Sequence, residues 1–272
     1  MWEEGFTNRL HIRDASQHKR CTECVKHQLV IRKLRDNERA LSVQAALWGQ
    51  HLERQFRDRQ RYWDLRAQSR LTQSIDGQPV LTMIIDGMDH SKWVLPKSQA
   101  LNAKSFNSFV RPYLTCTGLI CHGRSVSIVL ADQSVAKGSN FTIEILLHTL
   151  DKLTRAGLDL RSAEINIQCD NCSKEAKSNA VLRVLGLLVA KRRIGCARLQ
   201  CLQTGHSHED VDQMFSLLGS YLSTKKELYT PEHVLEALRS YLAAPSVRPQ
   251  EPVKETYMVS ATRDWPLGTH SE

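Results

Sequence analysis

Two spacings of apolar residues divide the chain. From about Asp36 to Leu71, Leu41, Ala45, Trp48, Leu52, Phe56, Trp63 and Leu65 recur near helical spacing among Arg, Gln and Glu, with no proline and only Gly49. That pattern predicts one long amphipathic helix. Ser74 to Pro79, which includes Asp76-Gly77, interrupts it. Beyond the break the pattern shortens into strands. Val80 to Asp86 is a continuous apolar run of the kind that suits a central strand covered on both faces. Leu114 to Cys121 and Ser125 to Ala131 flank His122-Gly123-Arg124 and read as a hairpin. A helix is predicted over 141–155, with Ile143, Leu146, Leu147, Leu150 and Leu153 on its apolar face and Gly157 at its end. Glu164 to Asp170 reads as a strand, followed by a helix over 174–191 that carries Val181, Leu182, Leu185, Leu188 and Val189. Ala197 to Gln203 reads as a further strand, and His208 to Leu222 as a helix with Val211, Phe215 and Leu218 inward. Pro231 to Ala243 predicts a last amphipathic helix, with Pro231 in its first turn. Ala244 to Glu255 reads as a Pro-rich linker, and the residues after it as flexible.

The order β-β-β-α-β-α-β-α resembles the ribonuclease H fold. It predicts an α/β domain with a mixed five-stranded sheet flanked by helices, in which the first and fourth strands are parallel neighbours. The expected organisation is an irregular Cys/His module at 1–36, the helix at 37–73, the sheet domain at 79–224, a helix at 225–243 and a tail at 244–272. A chain of 272 residues accommodates one main core with such an appendage.

Composition narrows the setting. The chain is 41% hydrophobic and 24% charged, with no apolar run near the length of about 20 residues that spans a bilayer. Met1 leads into Trp-Glu-Glu-Gly, without a basic segment or an apolar core, so no secretory signal is expected. Reduced cysteines and an intracellular location follow as expectations. The net charge of +8 is uneven: residues 1–72 hold 15 Lys and Arg against 9 Asp and Glu, and the rest hold 22 against 20. A basic N-terminal region suits a polyanion, DNA first and RNA second, and hence a nuclear protein. It equally suits a solvated Arg-rich helix.

Asp86 and Asp170 each end a predicted strand, and Glu209, Asp210 and Asp212 cluster at the start of a predicted helix. Parallel first and fourth strands would bring Asp86 and Asp170 together. Two divalent ions about 3.5–4 Å apart are a recurrent device for phosphodiester chemistry. Mg²⁺ or Mn²⁺ prefers hard oxygen ligands such as these carboxylates. Asp86 is assigned to bridge both ions, Asp170 to hold one and Asp212 the other, with Glu209 as the alternative one turn away. An acidic first turn also complements a helix dipole without any ligand. Lys92, His206 and His208 lie near these positions in sequence and are candidate contacts to a nucleic-acid phosphate. Their structural alternatives are loop capping for the histidines and an Asp89–Lys92 surface pair.

Three blocks carry a family resemblance: Asp86-Gly-Met-Asp-His-Ser-Lys, Cys169-Asp-Asn-Cys-Ser-Lys-Glu-Ala-Lys-Ser-Asn and Gly205-His-Ser-His-Glu-Asp-Val-Asp-Gln-Met-Phe-Ser. They resemble an uncharacterised transposon-derived domain family that is similar to DDE-type transposases and integrases. The resemblance implies metal-dependent DNA strand cleavage or transfer as ancestral chemistry, or a catalytically inactive DNA-binding module of the same fold. A homo-oligomer is compatible with either. Val211-Asp-Gln-Met-Phe-Ser resembles the sequence around the final acidic residue of many integrases, which is why Asp212 is preferred. Where the family usually carries Gly-Gly-Gln-Asn-Lys-Asn after the second aspartate, this chain has Ser173-Lys-Glu-Ala-Lys-Ser-Asn.

His18, Cys21, Cys24 and His27 form a His-x2-Cys-x2-Cys-x2-His pattern, a candidate zinc site. The bland alternative is isolated reduced cysteines. Members of the resembling family often carry further cysteines upstream, so the chain is expected to begin partway through that module. Cys169 and Cys172 bracket Asp170 and raise a redox alternative, but Cys169 alternates with Ile165 and Ile167 as a core residue would. Cys116, Cys121, Cys196 and Cys201 fall in or beside predicted strands and read as small core hydrophobes.

Overall fold

The computed structural model describes residues 21–71, 78–89, 93–98, 110–169, 176–202 and 209–263. Helices α1 (Thr22–Lys33) and α2 (Glu38–Arg70) precede strand β1 (Val80–Met88) and the hairpin of β2 (Leu114–Cys121) and β3 (Ser125–Asp132). Then come α3 (Ser139–Arg155), β4 (Glu164–Cys169), α4 (Asn179–Ala190), β5 (Cys196–Cys201), α5 (Asp210–Ser223), α6 (Pro231–Ala243) and β6 (Val253–Val259). The strands form one sheet in the order β5-β4-β1-β2-β3-β6. β1 runs antiparallel to β2 and β2 to β3, while β1–β4, β4–β5 and β3–β6 are parallel.

The near-continuous apolar character of β1 has a direct cause, because both of its faces are covered. Leu81, Met83 and Ile85 face a core completed by α3 and α4, and Ile84 and Met88 face a second core completed by α5 and α6. Successive side chains of a strand point to opposite faces, so a doubly covered strand must be apolar at odd and even positions alike. The apolar stripes of α3, α5 and α6 land where their periodicity puts them. Ile143, Leu146, Leu150 and Leu153 are buried on α3, Val211, Phe215 and Leu218 on α5, and Val234, Leu238 and Leu242 on α6. On α4, Val181 and Leu185 are buried but Leu182 is exposed.

Three expectations need correction. The sheet has six strands, not five, because residues 253–259 pair in parallel with β3 instead of forming a flexible tail. β6 carries Lys254 and Glu255, charges that suit an edge strand and disguise it in the sequence. The described part of the N-terminal module is not irregular, since α1 starts directly after Cys21; residues 1–20 lie outside the described residues. The stripe expected to bury α2 is not buried: Leu52 and Phe56 are exposed, and the buried residues of that helix are His51, Tyr62 and Ser69. The reason is what lies against α2. Among the described residues its N-terminal half meets α1, as in the Gln44–His27 and His51–Cys21 contacts, while its C-terminal part lies on β1, where backbone polar groups must be satisfied. Ser69 Oγ donates to the His122 carbonyl at 2.7 Å and accepts from the Thr82 N–H at 3.1 Å, and Thr82 Oγ1 donates to the Leu65 carbonyl at 2.8 Å.

That docking leaves no room at the β2–β3 turn. Gly123 has φ +73°, and a Cβ there would stand 2.8 Å from Arg70 Cα on α2. Gly157 also has positive φ, 91°, but a Cβ there meets nothing within 4 Å. Left-handed backbone costs a residue with a Cβ about 1–2 kcal/mol, and forcing atoms into a filled interface adds about 1–3 kcal/mol. Gly157→Ala is therefore expected to lower the urea unfolding free energy by about 1–2 kcal/mol and Gly123→Ala by about 2–5 kcal/mol. Equal losses in the two variants would refute close packing of α2 on the turn.

Candidate functional site

A small pocket opens beside the C-terminal ends of β1 and β4, lined by Asp86, Gln168, Cys169, Leu202, Glu209 and Val211 among others. Ile85 is the register partner of Cys169, and Asp86 is the next residue along β1. Asp86 Oδ1 accepts the Gly87 N–H at 2.7 Å. Gly87 also admits a cation, because the Lys137 ammonium occupies the space that a Cβ on Gly87 would need. The Gln168 side chain is buried, and its Oε1 has no hydrogen-bond partner among the described residues.

The three carboxylates at the start of α5 have three different surroundings. Glu209 lines the pocket with Asp86, and its Oε1 lies 2.7 Å from Arg59 Nε while Trp63 Nε1 donates to its Oε2 at 3.3 Å. Burial pushes the Glu209 carboxyl above its usual range, and the Trp63 hydrogen bond and the Arg59 charge only partly offset that. Asp212 Oδ2 accepts the Glu209 N–H at 3.0 Å, which makes Asp212 part of the helix cap. It is absent from the pocket lining. Asp210 turns the other way. Asp170, Lys92, His206, His208 and His18 lie outside the described residues.

Asp210 joins a buried charge network that connects four segments. Its Oδ2 accepts from Arg66 Nη1 at 2.6 Å and from the Tyr62 hydroxyl at 3.1 Å, and Arg248 Nη1 lies 3.8 Å from its Oδ1. The Tyr62 oxygen is also 2.8 Å from His122 Nε2. Tyr62 has one proton and gives it to Asp210, so His122 Nε2 carries the hydrogen and donates to Tyr62. Glu251, 1% exposed, accepts from Arg248 Nε at 3.0 Å and from the Gly123 N–H at 3.2 Å. Burial pushes Asp210 upward, but the Arg66 hydrogen bond and the neighbouring positive charges outweigh it and leave the carboxyl below its ordinary value. Burial takes His122 from 6.5 to about 3, with Arg70, Arg248 and Arg66 pushing the same way against Asp210. This network was not foreseen. Its sequence trace is the set of arginines on α2, which read as a surface charge; Arg59 and Arg66 instead neutralise carboxylates of α5.

Among the described residues, Cys21, Cys24 and His51 form a third cluster, with one ligand atom of each within 4.8 Å of the others. His27, expected beside the cysteines, does not belong to it: its Nδ1 is 2.6 Å from Gln44 Nε2. His51 comes instead from mid-α2, thirty residues after Cys21. Cys169 is buried and faces Cys201 across β4 and β5 at 3.4 Å. Cys116 and Cys121 are buried core residues, and burial pushes the Cys121 thiol up to about 12. No described helix is long and apolar enough to cross a membrane.

Residues 104–268 match the family model described as Domain of unknown function (DUF7869), and the chain belongs to that family. No curated protein matches it. A solved structure, a Mos1 transposase paired-end complex with left transposon end, is similar at 13% identity and a TM-score of 0.41, covering 88% of this chain and 76% of that one. That likeness is too distant to bear on the site.

The charge network makes two outcomes measurable. The Asp210–Arg66 pair is part-buried, so Asp210→Ala should cost less than the ~3–5 kcal/mol of a fully buried pair and more than an exposed one, a loss of about 1–3 kcal/mol of unfolding free energy. A loss below about 1 kcal/mol, the range of exposed pairs, would refute the network. His122 stays neutral when folded down to about pH 3 and takes a proton at about 6.5 when unfolded. Its contribution is therefore fully present above pH 6.5 and is lost as pH falls towards 3. Stability of the wild type should fall more steeply than that of His122→Gln in the upper part of this window, before the carboxylates titrate.

Proposed function

We propose that this DUF7869 chain is a ribonuclease H-like domain of transposase or integrase descent, with metal-dependent DNA strand cleavage or transfer as its ancestral chemistry. The observation that carries the reading is the parallel pairing of β1 with β4, whose register includes Ile85↔Cys169. In the sequence each of these two residues is followed by an aspartate, Asp86 and Asp170. Glu209 lines the same pocket as Asp86, which favours it over Asp212 as the third acidic member.

The donor set suits a hard divalent cation. Asp86, Glu209 and Gln168 line one pocket, and the buried Gln168 Oε1 lacks a hydrogen-bond partner among the described residues. Asp86, Asp170 and Glu209 would hold Mg²⁺ or Mn²⁺, with Asp212 steadying Glu209 through its backbone N–H. Such ions supply charge neutralisation and an oriented nucleophile at a phosphodiester. The Lys137 ammonium lies beside Gly87, the residue that follows Asp86 in β1. The exposed Arg54, Arg57 and Arg61 of α2 supply phosphate contacts, and a DNA partner implies a nuclear protein.

One observation favours the inactive alternative, a DNA-binding module. Arg59 already sits on Glu209 at 2.7 Å, giving that carboxylate a built-in counter-charge. Calorimetric titration with Mn²⁺ and Mg²⁺, paired with a plasmid nicking assay, separates the two. Catalysis predicts metal binding by the wild type, its loss in Asp86→Asn and Asp170→Asn, weaker binding in Glu209→Gln and little change in Asp212→Asn. No metal binding by the wild type, even with DNA present, would remove catalysis and leave the binding module. That module in turn requires DNA affinity that falls with salt and weakens when Arg54, Arg57 and Arg61 are changed together to Gln.

A further inference from the structure

The α1–α2 hairpin has little apolar reason to stay closed. Neither hydrophobic core includes a residue of α1, and α1 buries none of its side chains fully. Leu29, Val30, Val43, Leu47 and Leu52 are exposed. Yet two groups are deeply buried where the helices meet: Cys21 is 3% exposed and His51 is 1% exposed. Burying an imidazole while leaving leucines in water inverts the usual order of burial. An interaction other than the hydrophobic effect must bring these groups together.

Their geometry supplies one. Cys21 Sγ is 3.5 Å from His51 Nε2, and Cys24 Sγ completes a group whose atoms lie within 4.8 Å of one another. A tetrahedral zinc ion with Zn–S of about 2.3 Å and Zn–N of about 2.0 Å separates its sulfur and nitrogen ligands by about 3.5 Å. On its other side, His51 Nδ1 is 2.9 Å from a Glu23 carboxylate oxygen. With Nδ1–H donating to Glu23, Nε2 keeps its lone pair and directs it towards the sulfurs. A carboxylate that orients a histidine through its second nitrogen is a recurrent arrangement at zinc ligands. A plain thiol–imidazole hydrogen bond would account for the Cys21 contact; Cys24, which also meets Cys21 and Trp48, brings a second sulfur to the same point, and Glu23 orients the imidazole from behind.

We propose that Cys21, Cys24 and His51 hold a zinc ion that staples α1 to α2, with Glu23 as a positioning residue for His51. Zinc(II) enters with its charge unchanged, the two thiols leave their protons to solvent as they become thiolates, and no oxidant or reductant is required. Soft thiolates with one imidazole select zinc over Mg²⁺ or Ca²⁺. The fourth tetrahedral position is left to water or another donor. This inference stands apart from the carboxylate site, and its test does not depend on nucleic acid or on Mg²⁺.

The test is metal analysis of the full chain purified under reducing conditions without chelator. One zinc per chain is expected in the wild type and in His27→Ala, and none in His51→Ala or Cys24→Ser. Glu23→Gln should keep zinc with affinity lowered about 10–100-fold. Replacing zinc by Co²⁺ should give the thiolate-to-cobalt charge-transfer absorption and tetrahedral ligand-field bands. Chelation should raise hydrogen exchange in α1 while the β-sheet stays protected, which separates loss of the staple from unfolding. A zinc content near zero in the wild type, persisting after reconstitution with Zn²⁺ in reducing buffer, would overturn the proposal. So would zinc held by His51→Ala with wild-type affinity.

Discussion

The carboxylate of Asp210 is the constraint on which the site depends. It ties α5 to α2 through Arg66 and Tyr62, to the β2–β3 turn through Tyr62 and His122, and to the segment before β6 through Arg248. Burying these charges brings little net stability, since the Coulomb gain barely offsets the desolvation. Its consequence is geometric. A part-buried carboxylate that satisfies an arginine and a tyrosine at 2.6 and 3.1 Å leaves α5 few ways to sit, and that position sets what its neighbours in the first turn face.

The three acidic residues therefore diverge. Consecutive helical residues point about 100° apart, so once Asp210 is committed to Arg66, Glu209 and Asp212 cannot share its direction. Glu209, the residue before the helix, turns towards the pocket at the tip of β1 and is met there by Arg59 and Trp63. Asp212 closes back on the Glu209 N–H. What reads in sequence as one acidic cluster is one carboxylate at the pocket, one in the interior and one in a cap.

The same geometry changes the meaning of the basic N-terminal charge. Arg59 and Arg66 point inward to carboxylates of α5, and Arg70 lies within 4.0 Å of Asp210 and Glu251. Arg54, Arg57 and Arg61 remain at the exposed face. α2 is thus held at two places by polar groups, the Cys21–His51 cluster near its middle and the arginine network near its C-terminus, with Leu52 and Phe56 between them in water. A helix anchored this way has no need of the continuous apolar stripe that its sequence suggests.

The sequence by itself determined most of the secondary structure and the pairing of β1 with β4. Runs such as Leu81-Thr-Met-Ile-Ile and stripes such as Ile143, Leu146 and Leu150 answer to one dominant force, burial against the sheet, which acts at short and regular spacing. It also placed Asp86 at a strand end and Cys21 and Cys24 in one cluster. It missed β6, whose charged residues pair only because the edge of β3 is open to them. It preferred Asp212 to Glu209 and set His18 and His27 beside the cysteines, whereas the structure brings Glu209 to the pocket and His51 to Cys21, contacts that sequence spacing does not carry. Charge and ligand geometry are decided by which side chains meet: Glu209 with Trp63 and Arg59, His51 with Cys21, Asp210 with Arg66. These contacts span thirty to nearly one hundred and fifty residues. Only the tertiary structure decides them, because burial and partner distance, not residue type, set whether a carboxylate lines a pocket, caps a helix or serves as a counter-ion.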